Sequence, residues 1–527
     1  MASIISNSAT GSTLIDSLLA SARWGDGAVT FGFTASSTQY GSAYGIGEAA
    51  KGYQPLSASQ MSAVRDALAS WGELINLKIV ETTGADADLR IASSSAPTTA
   101  WAYTPGSSAE AGDVWFGTAK GYYSNPTDGN YAKLTFIHEL GHALGLGHPH
   151  QSVFGAGGGN FVADSGADQA LCPCCGGAVH GAPVHEGAQA ATVHAGAAEL
   201  ASGNPAYFGA DVSTSAVDAM AYSVMSYSSY AGDGHTGYTN GTWDYAQSPM
   251  VRDIAAIQSL YGANYATRGD DTVYSWNATT GEKIINGIGQ GAPGGNKVFE
   301  TIWDGGGRDT IDLSAYTSNL KIDLAPGGWI DFGNSQLANL GAGHSAPGNV
   351  AMSLLYEGDT RSLIENAVGG SGNDLIKGNA GDNFLIGGAG DDRIEGGDGN
   401  DILAGGTIGN ELSFLGIDRS ALIKVIPQIN GADGNDILIG GNGNDLFIAG
   451  KGHDTVDGGN GIDTLIIDSA LSAIQFVANG AELIFNYLGN TTTATNIEYL
   501  ATQDGIFAIH GATLVGVSQQ QWYEASA

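Results

Sequence analysis

Over residues 57–74 apolar side chains return every three or four positions. Ala63, Val64, Ala67, Leu68 and Trp71 share one face of a predicted helix, which Ser57 or Ser59 would cap. The pattern predicts a second helix over 134–144, stopped by Gly145, and a third over 253–261, stopped by Gly262. Short runs at 77–80, 87–91 and 112–116 predict strands, so the first half reads as mixed α and β. Past about residue 266 the chain becomes turn-rich, with short strands such as 310–313 and 320–324.

From Gly369 a period of nine appears. The units GGSGNDLIK, GNAGDNFLI, GGAGDDRIE and GGDGNDILA start at Gly369, Gly378, Gly387 and Gly396. After an interruption at 407–430 come GADGNDILI, GGNGNDLFI, AGKGHDTVD and GGNGIDTLI, from Gly431, Gly440, Ala449 and Gly458. Six residues make a turn and three a strand, which is the unit of a parallel β-roll. The eighth positions, Ile376, Leu385, Ile394, Leu403, Leu438, Phe447, Val456 and Leu465, are all apolar and should point inward. The sixth are Asp374, Asn383, Asp392, Asp401, Asp436, Asp445, Asp454 and Asp463. Stacked turns would enclose Ca²⁺ between these carboxylates and main-chain carbonyls, with Asn383 weakening one site. Alternating residues after the last repeat predict a β cap.

Composition narrows the partners. At 527 residues the chain is too long for one ordinary core. Its net charge of −34 repels nucleic acid and anionic membranes, and no apolar run is long enough to span a bilayer. Its 82 glycines fit repeated tight turns. The 3 cysteines, at 172, 174 and 175, build no disulfide framework. The N-terminus lacks the basic and apolar regions of a Sec signal, so the protein should either stay in the cytoplasm or leave by a route that reads no such signal.

The segment HELGHALGLGH, from His138 to His148, carries the chemistry. His138 and His142 are four apart on a helix and can reach one cation. Gly145 allows a sharp turn that brings His148 round as a third nitrogen ligand, leaving a position open for water. Glu139 is placed as general base without being a ligand. Such a site would hold one catalytic Zn²⁺, which lowers the pKa of water to roughly 7.

This eleven-residue form resembles the metzincins, and Pro149 directly after it resembles the serralysin branch, peptidase family M10. The run SVMSY, residues 223–227, matches the Met-turn expected downstream, and 253–264 resembles the closing helix of that branch. The resemblance implies Met225 as an apolar floor under the zinc. It makes Tyr227 a displaceable zinc ligand that later binds the oxyanion. Residues 100–103 would be the substrate-binding edge strand. Ahead of the roll it implies calcium ligands at Arg268 (through its carbonyl), Asp270, Thr272, Asp304, Gly306, Asp309 and Glu365.

The implied fold is an α+β metzincin catalytic domain followed by an all-β parallel β-roll of RTX type. The expected division is a pro-segment at 1–20, a catalytic domain at 21–265 with an insert at about 151–203, and a calcium-binding roll, cap and secretion signal at 266–527. The implied activity is that of a secreted, extracellular zinc endopeptidase acting on proteins or peptides and exported by a type I apparatus. The alternative is a calcium-dependent adhesin or surface-layer protein on the same frame, which predicts a degraded zinc site. The insert, with Cys172, Cys174, Cys175, His180, His185 and His194, matches no zinc module and reads as a loop, with a second soft-metal site or thiolate regulation of the active site as alternatives; it is expected to shape access to the cleft and to take no part in hydrolysis.

Overall fold

The computed structural model describes residues 2–149, 216–406, 408, 411–415 and 434–526, except for 26, 42–43, 234–236 and 334. The Cys/His insert and most of the repeat interruption lie outside these residues.

In the first half, β1 (Ile4–Ser6) pairs with β2 (Ala22–Trp24) around a short helical turn, α1 (Thr13–Asp16). Next come β3 (Ala28–Phe33), α2 (Ala58–Gly72), β4 (Lys78–Glu81), β5 (Leu89–Ser94), β6 (Ala100–Ala102) and β7 (Val114–Gly117). They form one sheet in the order β4-β3-β5-β7-β6, parallel except for the antiparallel edge strand β6. Ser57 caps α2 in a reciprocal box with Gln60, and the five predicted apolar residues are buried. The zinc-motif helix, α3 (Tyr131–Ala143), starts three residues before its expected bound, because the Asn130 side chain accepts from Lys133 N–H. The closing helix is α4 (Val251–Tyr261).

Apart from a C-terminal helix and short helical turns, the second half is β. Successive repeats alternate between two sheets, so strands 18 residues apart pair in parallel, as Phe384–Ile386 does with Ile402–Ala404 and Leu375–Lys377 with Arg393–Asp398. All eight apolar repeat positions are fully buried between the sheets. The interruption leaves the register intact: Arg393–Asp398 pairs with Ile437–Asn442 across 44 residues instead of 18. Its Leu412 and Leu415 pack on the outer apolar face of one sheet beside Trp522 of the C-terminal helix, α5 (Gln519–Ser526).

The halves share a core. Phe299, Trp303, Ala338 and Leu340 from the second half are buried with Trp71, Ile137 and Met225. The hairpin Asn339–Gly341/His344–Ser345 also braces the loop after the Met-turn: Thr239 hydroxyl donates to Leu340 O (2.6 Å), and His344 stacks on Tyr230 at 3.8 Å.

Candidate active site and calcium ladder

The Nε2 atoms of His138, His142 and His148 lie 2.9–3.4 Å apart. Two rings are locked from behind: His138 Nδ1–H donates to Val224 O and His142 Nδ1–H to Leu146 O, both at 2.8 Å. That fixes the tautomer with Nε2 free for a metal. Gly145, at φ +110°, makes the turn that returns His148. Three neutral nitrogens converging in this way fit Zn²⁺.

Glu139 is fully buried, and neither carboxylate oxygen has a hydrogen-bond partner. Burial pushes it up to about 8, which suits a proton acceptor near neutral pH. Tyr227 hydroxyl reaches His148 Nε2 at 2.5 Å. Met225 is fully buried under α3; a Cβ at Gly141 would meet its sulfur at 2.8 Å, so glycine is what lets it approach.

Sequence reasoning missed the groups behind this site. Asp253 accepts from Ser223 hydroxyl (2.6 Å), Val224 N–H (2.7 Å) and Met250 N–H (2.8 Å), tying the Met-turn, and through Val224 O His138, to α4. Burial pushes its carboxyl up to about 6 against those bonds. Glu48 was missed as well. Its buried carboxylate accepts from Trp101 Nε1 (3.2 Å) and Tyr103 hydroxyl, pinning β6 from behind. Residues 99, 101 and 103 bond to β7, which turns the N–H and C=O groups of Ala100 and Ala102 toward the open edge. An acid beside an arginine at the start of a largely apolar helix was the only signal available for Asp253.

In the roll the sixth-position residues form two ladders. Asp374 N–H donates to Asp392 Oδ1 and Asp392 N–H to Asp436 Oδ1; opposite, Asn383 feeds Asp401, which feeds Asp445, which feeds Asp463. The Asp436 N–H continues to Asp454, and Asp463 N–H ends on Glu498. The second oxygens of Asp392, Asp401, Asp445 and Asp463 are buried without a hydrogen-bond partner. Burial and neighbouring carboxylates push Asp392 up to about 9, Asp401 to about 8 and Asp463 to about 7. At Gly387, Gly396 and Gly440, which open their units, a Cβ would sit 2.1–2.3 Å from the same oxygen. Orphaned inward carboxylate oxygens are what hard divalent cations take as ligands, so the ladders fit Ca²⁺. Asn383 instead spends its amide on Glu365 O and Asn379.

Ahead of the roll, Asp304, Asp309, Thr272 and Glu365 come together. Asp309 accepts from Thr272 N–H (2.7 Å), its N–H donates to Glu365 (2.8 Å), and its Oδ2 is orphaned. Burial and Asp304 push Asp309 up to about 9. Asp304 accepts from Gly306 N–H, and Asp270 O accepts from Thr272 hydroxyl. The Arg268 side chain is spent elsewhere, on Glu73 and Trp303 O.

Histidines on a helix, a third beyond a glycine turn and a methionine turn beneath define a metzincin-type metal centre. The Matrixin family matches residues 43–154, and the Peptidase M10 serralysin C-terminal family matches 263–501. Metallopeptidase AprA of Pseudomonas marginalis is 32% identical over 335 residues, 62% of this chain and 56% of the relative. Metalloprotease AprA of Pseudomonas entomophila is 34% identical over 321 residues, covering 60% and 52%. Serralysin C of Dickeya chrysanthemi is 32% identical over 334, covering 62% and 54%. The chain thus spans a little over half the length of these relatives. Both family models and these relatives make the chain similar to the serralysin-type metallopeptidases of family M10.

Proposed function

We propose that the chain is a secreted zinc-dependent endopeptidase that cleaves extracellular proteins, on a roll stabilised by several calcium ions. The observation that carries this is the complete three-histidine site beside an unpartnered buried Glu139. The adhesin alternative predicts loss of a ligand or of the base, and both are present. Among the described residues no helix is long and apolar enough to cross a membrane. Export before calcium-driven folding, through a type I apparatus, suits a domain whose carboxylates repel one another without cations.

His138, His142 and His148 would hold the zinc, with Tyr227 as a displaceable fourth group. Bound there, zinc would polarise the scissile carbonyl and acidify an attacking water. Glu139 takes the proton that the water loses and returns it to the leaving amine. Ala100 and Ala102 bind the substrate as an added strand through main-chain groups, which selects extended backbone over particular side chains. Tyr227 donates a hydrogen bond to the oxygen on which charge develops.

The test is a casein digest with metal analysis. One zinc per chain and digestion abolished by chelator are expected; digestion that survives complete zinc removal overturns the reading. Because the Tyr227 contact forms in the transition state, Tyr227→Phe should lower kcat more than it raises KM. A parent-like kcat removes Tyr227 from the mechanism.

A further inference from the structure

Beside Asp253 on α4 stands Arg252, which is only 2% exposed and has no part in the chemistry above. Its guanidinium donates to Leu14 O (2.7 Å), Ser17 Oγ (2.8 Å) and Val217 O (3.0 Å). Leu14 and Ser17 belong to the N-terminal segment, whose next three residues run alongside the glycine turn of the zinc motif. There Ala20 N–H donates to Gly145 O (2.9 Å), and Gly147 N–H donates to Leu18 O (2.7 Å). Leu19 and Leu146 face each other as a β-bridge.

The end of α3 is therefore fully accounted for. Its last turn leaves carbonyls that need partners. Ala143 O accepts from Trp24 Nε1 (2.8 Å), Leu144 O from Tyr261 hydroxyl (2.7 Å) and Gly145 O from Ala20. Leu146 O then serves His142 Nδ1. Two of these four partners come from residues 20–24.

We infer that residues 14–20, clamped by Arg252, are a positioning strut that sets the path of residues 145–148 and so the metal affinity of the site. This rests on the zinc reading given above. Arg252 and Asp253 then divide the work on adjacent positions of one helix. Asp253 holds the Met-turn and, through Val224 O, His138; Arg252 holds the strut and, through Leu146, His142 and His148. It follows that any maturation cut within 1–20 must fall before Leu14.

The test is zinc affinity by chelator competition on the full chain in calcium. Arg252→Met removes the donors while keeping an apolar stem, and should weaken zinc binding on the order of tenfold, as loss of support behind metal ligands commonly does. Ser17→Ala, which deletes the bond from Arg252 and the one that the hydroxyl donates to Leu14 O (3.0 Å), should weaken it about threefold. Excess zinc should restore peptide hydrolysis by Arg252→Met with KM unchanged, an outcome that general destabilisation would not give. A folded Arg252→Met that holds zinc as tightly as the parent overturns the strut. If that variant does not fold, Ser17→Ala and Ala20→Pro (which lacks the N–H given to Gly145) decide, and parent-like affinity in both overturns it. A parent chain that binds no zinc fails the protease reading itself, whereas a binding parent with unchanged variants fails the strut alone.

Discussion

Glu139→Gln is expected to bind one zinc and to lose turnover by about 10²–10⁴-fold, the range that a positioned acid–base group contributes. Glutamine keeps the shape and removes the proton acceptor. Since neither Glu139 oxygen has a hydrogen-bond partner, no structural bond is lost, and the melting temperature should hold or rise. Zinc content with steady-state kinetics checks this. Digestion at the parent rate would remove Glu139 from the mechanism, and loss of zinc would make it a support for the metal.

The second large effect concerns calcium and pH. In chelator at neutral pH the region 266–527 should lose most of its β signal, and millimolar calcium should restore it. The sign of the pH effect in chelator follows from the raised carboxyl values. An acid whose folded pKa is raised contributes stability that is present below its unfolded value, near 4, and lost as pH rises through the folded one. For Asp374 and Asp445 that is about 6, for Asp463 about 7, for Asp401 about 8 and for Asp392 about 9. Acidifying the calcium-free chain to about pH 4 should therefore return β structure without any cation. Circular dichroism that stays disordered at pH 4, or that ignores chelator at pH 8, contradicts the ladder.

The sequence made the roll legible almost residue by residue, because each repeat meets only its neighbours and its chemistry lies at fixed positions. The three histidines were legible for the same reason, being held within one helix and one turn. What lay outside the pattern was non-local. Asp253 bonds to residues about thirty positions away, and Arg252 to residues more than two hundred away. Nothing in their spacing announces those partners. The early start of α3 was missed because residues 131–133 lack apolar periodicity, and the Asn130 cap decided it. The N-terminal segment, expected to be a pro-segment, is tied to β2 and to the zinc turn by main-chain bonds that any sequence could make.

The uninterrupted register across the repeat interruption has a practical corollary. Rungs joined only to the rungs above and below are indifferent to how much chain loops out between them, provided the two ends return to the same place. Strands 44 residues apart pair here as well as strands 18 apart. The interruption is therefore a ready splice point: a reporter, an affinity tag or a small folded module placed there would travel with the protein without disturbing the roll's pitch.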